Sequence, residues 1–236
     1  VTARAAAAHR RRFARLRAFD RRFDFDAWTS GRLAGVDEAG VGPLAGPVVA
    51  AAVILPPDFD CPELFDSKQL QPAARRRCEL AVRRAALGLG VARVSPARID
   101  RINILRAMLA AHRLALAKLP FVPGAILVDG KRAPRPPLGW EAVRLETVIG
   151  GDTRSLAIAA ASVIAKETRD RIMRRLDRRY PEYGFARHKG YASRSHRALL
   201  LQYGLSPVHR RSFCGFLEVA RQGALAFELE PAPPLR

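Results

Sequence analysis

Two short apolar runs in this chain each stop at an aspartate, and that arrangement restricts what the chain can build. Leu33-Ala34-Gly35-Val36 runs into Asp37 and Glu38, and Ala125-Ile126-Leu127-Val128 runs into Asp129 and Gly130. Uninterrupted apolar runs of this length read as strands buried on both faces, as in a sheet covered by helices. The acids then fall near strand exits, at the edge of an α/β sheet where ligands bind. Adjacent strand residues point to opposite faces. Asp37 and Glu38 therefore cannot share a site through both side chains unless the strand ends or a backbone carbonyl contributes. Glycine and proline crowd residues 40–47. They permit a sharp turn and the close approach of a ligand, although a plain surface turn is an equally good local reading.

The rest of the chain extends the pattern. Residues 47–55 and 89–94 read as further strands and residues 143–148 as an edge strand, with helices over 72–87 and near 193–202. Helical spacing of apolar residues predicts one long amphipathic helix from about 97 to 119, with His112 at the edge of the core. Asp152 can cap a helix running to about Arg179, whose second half is rich in arginine. Lys68 precedes a helix start, where it can hold a phosphate or simply be exposed. Strands followed by helices, with acids at strand exits, describe an α/β sheet. A last short helix and a Pro-rich tail close the chain. Residues 1–30 read as a basic helical arm with Phe13, Leu16, Phe19 and Phe23 as its apolar stripe. The near-absence of hydroxyl residues there favours an accessory arm over a transit peptide.

The 41 basic residues, nearly all Arg, outnumber the acids to give a formal charge of +19. GC-rich coding explains Arg over Lys but not the excess, which suits a polyanion such as nucleic acid. Three scattered cysteines form no zinc or disulfide spacing and fit a reducing cytoplasm. No apolar run approaches the roughly 18 to 20 residues a membrane span needs. Asp37, Glu38, Asp129 and Asp152 would gather about four oxygen donors in one region. Packed carboxylates repel and take up protons unless divalent cations neutralise them. Two Mg²⁺ or Mn²⁺ ions roughly 4 Å apart would suit phosphodiester hydrolysis, which points to a metal-dependent nuclease or phosphoryl-transfer enzyme.

These residues also resemble a known family. Gly-Val-Asp-Glu-Ala-Gly at 35–40, Gly-Pro-Leu-Ala-Gly-Pro-Val-Val at 42–49, Asp-Ser-Lys at 66–68 and Ile-Asp-Arg-Ile-Asn-Ile-Leu at 99–105 are similar to bacterial ribonuclease HII. So are Val-Asp-Gly at 128–130, Gly-Asp at 151–152, Ala-Ala-Ala-Ser-Val-Ile-Ala-Lys at 159–166, His-Lys-Gly-Tyr at 188–191 and Ser-Pro-Val-His-Arg-Arg-Ser-Phe at 206–213. The match runs in order from about 33 to 216. The resemblance implies an α/β, RNase H-like fold, a central mixed β-sheet flanked by helices with a small helical C-terminal region. It divides the chain into an arm (1–30), a catalytic domain (31–192) and a helical C-terminal region with its tail (193–236).

The implied activity is endonucleolytic cleavage of the RNA strand of RNA–DNA hybrids, and 5′ to ribonucleotides embedded in duplex DNA, leaving 3′-hydroxyl and 5′-phosphate ends. Ribonucleotide removal and RNA primer processing are the implied roles, in a cytoplasmic monomer with no obligatory protein partner. The catalytic and metal-binding acids map onto Asp37, Glu38, Asp129 and Asp152, with Mn²⁺ or Mg²⁺ as cofactor. Substrate contacts map onto Gly40, Val41, Gly42, Lys68, Ser162, Lys166 and Tyr191, the last stacking on the sugar beside the ribonucleotide. Val41 departs from the family's usual arginine, so a phosphate-gripping guanidinium is missing. Cleavage is expected to survive, with weaker and more salt-sensitive substrate binding.

Overall fold

A computed structural model describes residues 3–217. The chain begins with two helices, α1 (Ala3–Phe23) and α2 (Phe25–Thr29), and then enters a hairpin of β1 (Leu33–Ala39) and β2 (Val48–Ile54). Helix α3 (Pro72–Ala85) leads to β3 (Gly88–Val94), followed by α4 (Pro96–Ile102) and α5 (Ile104–Leu116). Strands β4 (Ala125–Asp129) and β5 (Arg144–Val148) precede the long helix α6 (Leu156–Arg179), and α7 (Phe185–His188) and α8 (Arg194–Tyr203) finish the described fold. The strand order is β3-β2-β1-β4-β5, with the first two pairings antiparallel and the last two parallel. The expected mixed sheet flanked by helices is what the chain forms.

Alternation along the strands sorts the core into two layers. Ala34 and Val36 of β1 and Ile126 and Val128 of β4 pack with Ala107, Ala111 and Ala115 of α5. Ala51 and Val53 of β2 face Ala160 and Ile164 of α6, while Leu33 and Leu127 meet Ile158. Small residues bring α6 close to the sheet. A Cβ on Gly35 would stand 2.1 Å from the Ala157 carbonyl carbon, so only glycine allows this approach.

Three local expectations change. The single helix over 97–119 is two, because Asn103 adopts φ +65° and its side chain caps α5 through the Arg106 amide. Asparagine tolerates that backbone better than most residues, and an Ncap bond competes well with helix continuation. Asp152 does not cap α6; it sits in a 3₁₀ turn, Gly151–Thr153, and Ser155 is the cap, accepting from the Ile158 amide. The N-terminal arm is docked rather than accessory in space. Phe13 and Leu16 enter the core beneath α6, and the buried Asp20 carboxylate accepts from the Ala157 amide, 2.9 Å. The expected last short helix and Pro-rich tail fall largely outside the described residues. Among the described residues no helix is long and apolar enough to cross a membrane.

Candidate active site

Strand β1 carries Asp37 and Glu38 at its C-terminal end, and the pleat separates them. Asp37 lies on the α6 face with Gly35, and Glu38 on the α5 face with Val36. Asp129 ends β4 on the same face as Asp37. Its Oδ1 accepts the Gly151 amide at 2.7 Å, which ties the turn bearing Asp152 to the sheet. One carboxylate oxygen from each of Asp37, Asp129 and Asp152 lies within 4.8 Å of the others. Burial pushes Asp37 well above the usual carboxylate range, and Glu38 and Asp129 push it further. Burial also raises Asp129, opposed by the Gly151 amide and reinforced by Asp152. Three hard oxygen donors so close, with Asp37 and Asp129 penalised for being charged, fit a divalent cation of the Mg²⁺ or Mn²⁺ kind.

Glu38 does not join that cluster through its side chain. Its Oε2 lies 2.8 Å from Nε2 of His112, a fully buried residue of α5. His112 Nδ1 has no partner, so an Nε2–H tautomer donating to Glu38 leaves only an acceptor unpaired. The fourth acid is thus held from the opposite face. His112 is a partner of the site rather than a bystander in the core.

Lys68 reaches Asp152 at 3.3 Å from an exposed position. Partial burial lowers its pKa, but the charge and hydrogen bond of Asp152, with Asp37 and Asp66, together outweigh this and the net shift is upward. Its neighbour Ser67 bonds Ser162 of α6, Oγ to Oγ 2.7 Å, which fixes the Asp-Ser-Lys loop against the helix. Lys166, expected at the substrate, is instead paired to Asp170 at 2.8 Å within a buried network that includes Arg75 and Glu167.

The loop over 40–47 is pinned from beneath by two buried arginines. Arg210 donates to the carbonyls of Gly40, Val41 and Gly46. Arg169 donates to those of Ala45, Pro47 and Lys189. Burial pushes both guanidiniums down, and the Arg169 charge pushes Arg210 further; six carbonyl dipoles accept their hydrogens, with Asp170 acting on Arg169 and Asp100 on Arg210 in the opposite sense. Gly40, at φ +95°, would place a Cβ 2.0 Å from Arg169 Nε, so the loop and the arginine fit only with glycine there. Gly42 faces open space, and Val41 packs partly against the α5-side core while its carbonyl is held by Arg210.

Tyr191 is 47% exposed, with the Arg169 guanidinium 5.7 Å from its ring centre. A histidine relay holds its backbone. The Ser206 amide can only donate, so His209 Nδ1 accepts, 3.0 Å. His209 Nε2–H then donates to His196 Nε2, 3.0 Å, and His196 Nδ1–H donates to the Tyr191 carbonyl, 2.9 Å. The sequence offered no local signal for Arg169, Arg210 or this relay. Arg210 and His209 lie inside a recognised motif, but among so many arginines nothing marks the two that are buried.

Known proteins resemble this chain in sequence and in overall fold. The sequence model of the family described as Ribonuclease HII matches residues 34–216. The chain is 50% identical over 187 residues to the ribonuclease HII of Syntrophotalea carbinolica, covering 79% of this chain and 87% of that protein. The crystal structure of ribonuclease H2 from Pyrococcus horikoshii superposes with TM-score 0.62 at 28% identity, covering 84% of this chain and 99% of that one. An RNase HIII described in complex with Mn²⁺ shares the fold, with TM-score 0.64 at 21% identity over 86% of this chain and 72% of that one.

Proposed function

The chain belongs to the ribonuclease HII family, a ribonuclease H endonuclease, and from that premise we propose how this chain works. It cuts the RNA strand of RNA–DNA hybrids, and the strand 5′ to a ribonucleotide embedded in duplex DNA, leaving 3′-hydroxyl and 5′-phosphate ends. The observation that carries this reading is the meeting of Asp37, Asp129 and Asp152 within 4.8 Å at one sheet edge of a chain with charge +19. Divalent ions held by Asp37, Asp129 and Asp152, with Glu38 contributing from the other face, would supply Lewis acidity at the scissile phosphodiester.

The chain's own groups set substrate position. The free amides of the Gly40-Val41-Gly42 loop approach the ribose 2′-hydroxyl, and the arginines beneath keep those amides in place. Tyr191 stacks on the neighbouring sugar, where an exposed ring braced by a guanidinium and a tied backbone is suited to the task. Lys68, exposed beside Asp152, holds a substrate phosphate. Ser162 supports Lys68 through Ser67, and Lys166 acts at the rim of the same helix. Residues 31–192 form the catalytic domain in this reading, residues 1–30 the arm and 193–236 a helical region whose Arg210 shapes the site. A cytoplasmic monomer acting in ribonucleotide removal and primer processing fits the free thiols and the nucleic-acid charge.

Incubation with a duplex carrying one ribonucleotide, with Mn²⁺ or Mg²⁺, tests the reading. Cleavage on the 5′ side of the ribonucleotide is the expected result. Binding without any cut would refute it.

A further inference from the structure

Helix α1 carries eight arginines against one acid, and its arginines divide by direction. The buried stripe is Phe13, Leu16 and Asp20. The arginines flanking that stripe are used for docking. Arg10 approaches Asp60, Arg12 lies 3.9 Å from the centre of the Phe65 ring, Arg17 bonds the Pro57 carbonyl, and Arg21 lies over Phe25 and Trp28. Arg4, Arg11, Arg15 and Arg22 lie on the opposite side. At 100° per residue these four fall within about 40° of one another, directly away from the buried stripe. All four are exposed and make no ion pair among the described residues. They form a straight row about 27 Å long, at 1.5 Å per residue.

The helix is held where such a row is useful. Phe65, under Arg12, lies three positions before Lys68, which touches Asp152; at the other end Arg154 covers Phe19, two positions after Asp152. Helix α1 therefore runs beside the loops that carry one wall of the candidate active site, with the row on its outward face. Aligned guanidiniums without acidic partners, on a helix fixed by core packing, match the regular charge of a nucleic-acid backbone, about one per 1.7 Å of duplex axis.

We propose that Arg4, Arg11, Arg15 and Arg22 form a docked basic rail that holds the duplex phosphate backbone beyond the cleavage site. This rests on the nuclease reading for its substrate, and the rail lies outside the matched residues 34–216.

The test replaces all four together by glutamine, which keeps helix propensity close to that of arginine. Binding of a 30-base-pair duplex with one ribonucleotide, and of an all-DNA duplex of equal length, is followed by anisotropy from 50 to 200 mM salt, with circular dichroism and melting confirming the fold. If each guanidinium meets one phosphate, the slope of log affinity against log salt falls by about 3 to 4 in both duplexes. Wild-type affinity then declines about 100-fold more than the variant's across that range. KM rises while kcat holds at saturating substrate.

Equal slopes and equal KM would overturn the rail. Unchanged duplex slopes with wild-type-only binding to phosphatidylserine vesicles would overturn it in favour of a membrane role. A wild-type protein that binds with the rail-dependent slope yet never cuts would sink the nuclease reading and leave the rail standing.

Discussion

His196 and His209 face each other Nε2 to Nε2 at 3.0 Å, and only one of the two nitrogens can carry a hydrogen. The Ser206 amide fixes which one, and the direction of the relay ends at the Tyr191 carbonyl. Both rings are neutral in this arrangement. Protonating either would point two N–H groups at each other or compete with the Ser206 amide. Burial, and then the charge of His196, push His209 down to about 4 from an ordinary value of 6.5. Below pH 6.5 the unfolded chain takes a proton that the folded chain refuses, so this stability is present at neutral pH and is lost as pH falls toward 4, by about 3 kcal/mol. The raised carboxylates Asp20, Asp37 and Asp129 act in the opposite sense. The difference between two proteins therefore isolates the histidine. His209→Gln should melt below wild type at pH 7.5, with the gap closing as pH falls from 6.5 to 4. A pH-independent gap would mean that the relay does not titrate as described.

Asp37→Asn removes a charge that burial and two acids oppose. A carboxylate with a raised folded pKa costs stability that grows as pH rises from about 4 through the folded value. Without divalent ions, the variant should be more stable than wild type at pH 8. Mn²⁺ should raise its melting temperature less, and its cleavage rate should fall by about two orders of magnitude or more. An unchanged melting response to Mn²⁺ together with near-normal rate would remove Asp37 from the metal site.

Arg210→Lys keeps the charge but cannot span three carbonyls. Each carbonyl left unpaired costs about 1–3 kcal/mol. The expected outcome is faster amide exchange at Leu44 and Gly46, whose amides bond the Gly190 and Val208 carbonyls, and a rise in KM larger than the change in kcat. Exchange and KM both matching wild type would show that the loop holds itself.

Val41→Arg restores a guanidinium beside two site glycines while keeping the carbonyl contact to Arg210. One additional phosphate contact should tighten substrate binding and steepen the salt slope by about 0.9. Counterion release thus corrects the sequence-based expectation: losing a guanidinium weakens binding but makes it less salt-sensitive. Affinity and slope equal to wild type would mean that residue 41 meets no phosphate.

Tyr191→Ala tests the exposed ring itself. Discrimination for a single ribonucleotide in DNA should drop more than cleavage of a continuous RNA strand, with divalent-ion affinity unchanged. Equal losses on both substrates would deny the ring its role at the junction.

The sequence by itself determined the strand order of chemistry. Apolar runs ending in Asp37 and Asp129 were legible because alternation and strand length are local properties of the chain. The same alternation set Asp37 and Glu38 on opposite faces unless the strand ended or a carbonyl contributed, while all four acids were expected in one region. Only the tertiary structure decided where each went. His112, 74 positions away, holds Glu38 on the far face. Ser155 displaced Asp152 as helix cap because Asp129 had tied the preceding turn to the sheet. Asn103 divided a continuous apolar pattern, and Asp20 turned a basic arm into part of the body. Arg169 and Arg210 are chemically identical to the other arginines in sequence. Burial beneath a loop of unpaired carbonyls sets them apart, and that depends on contacts across more than a hundred residues that no local pattern encodes.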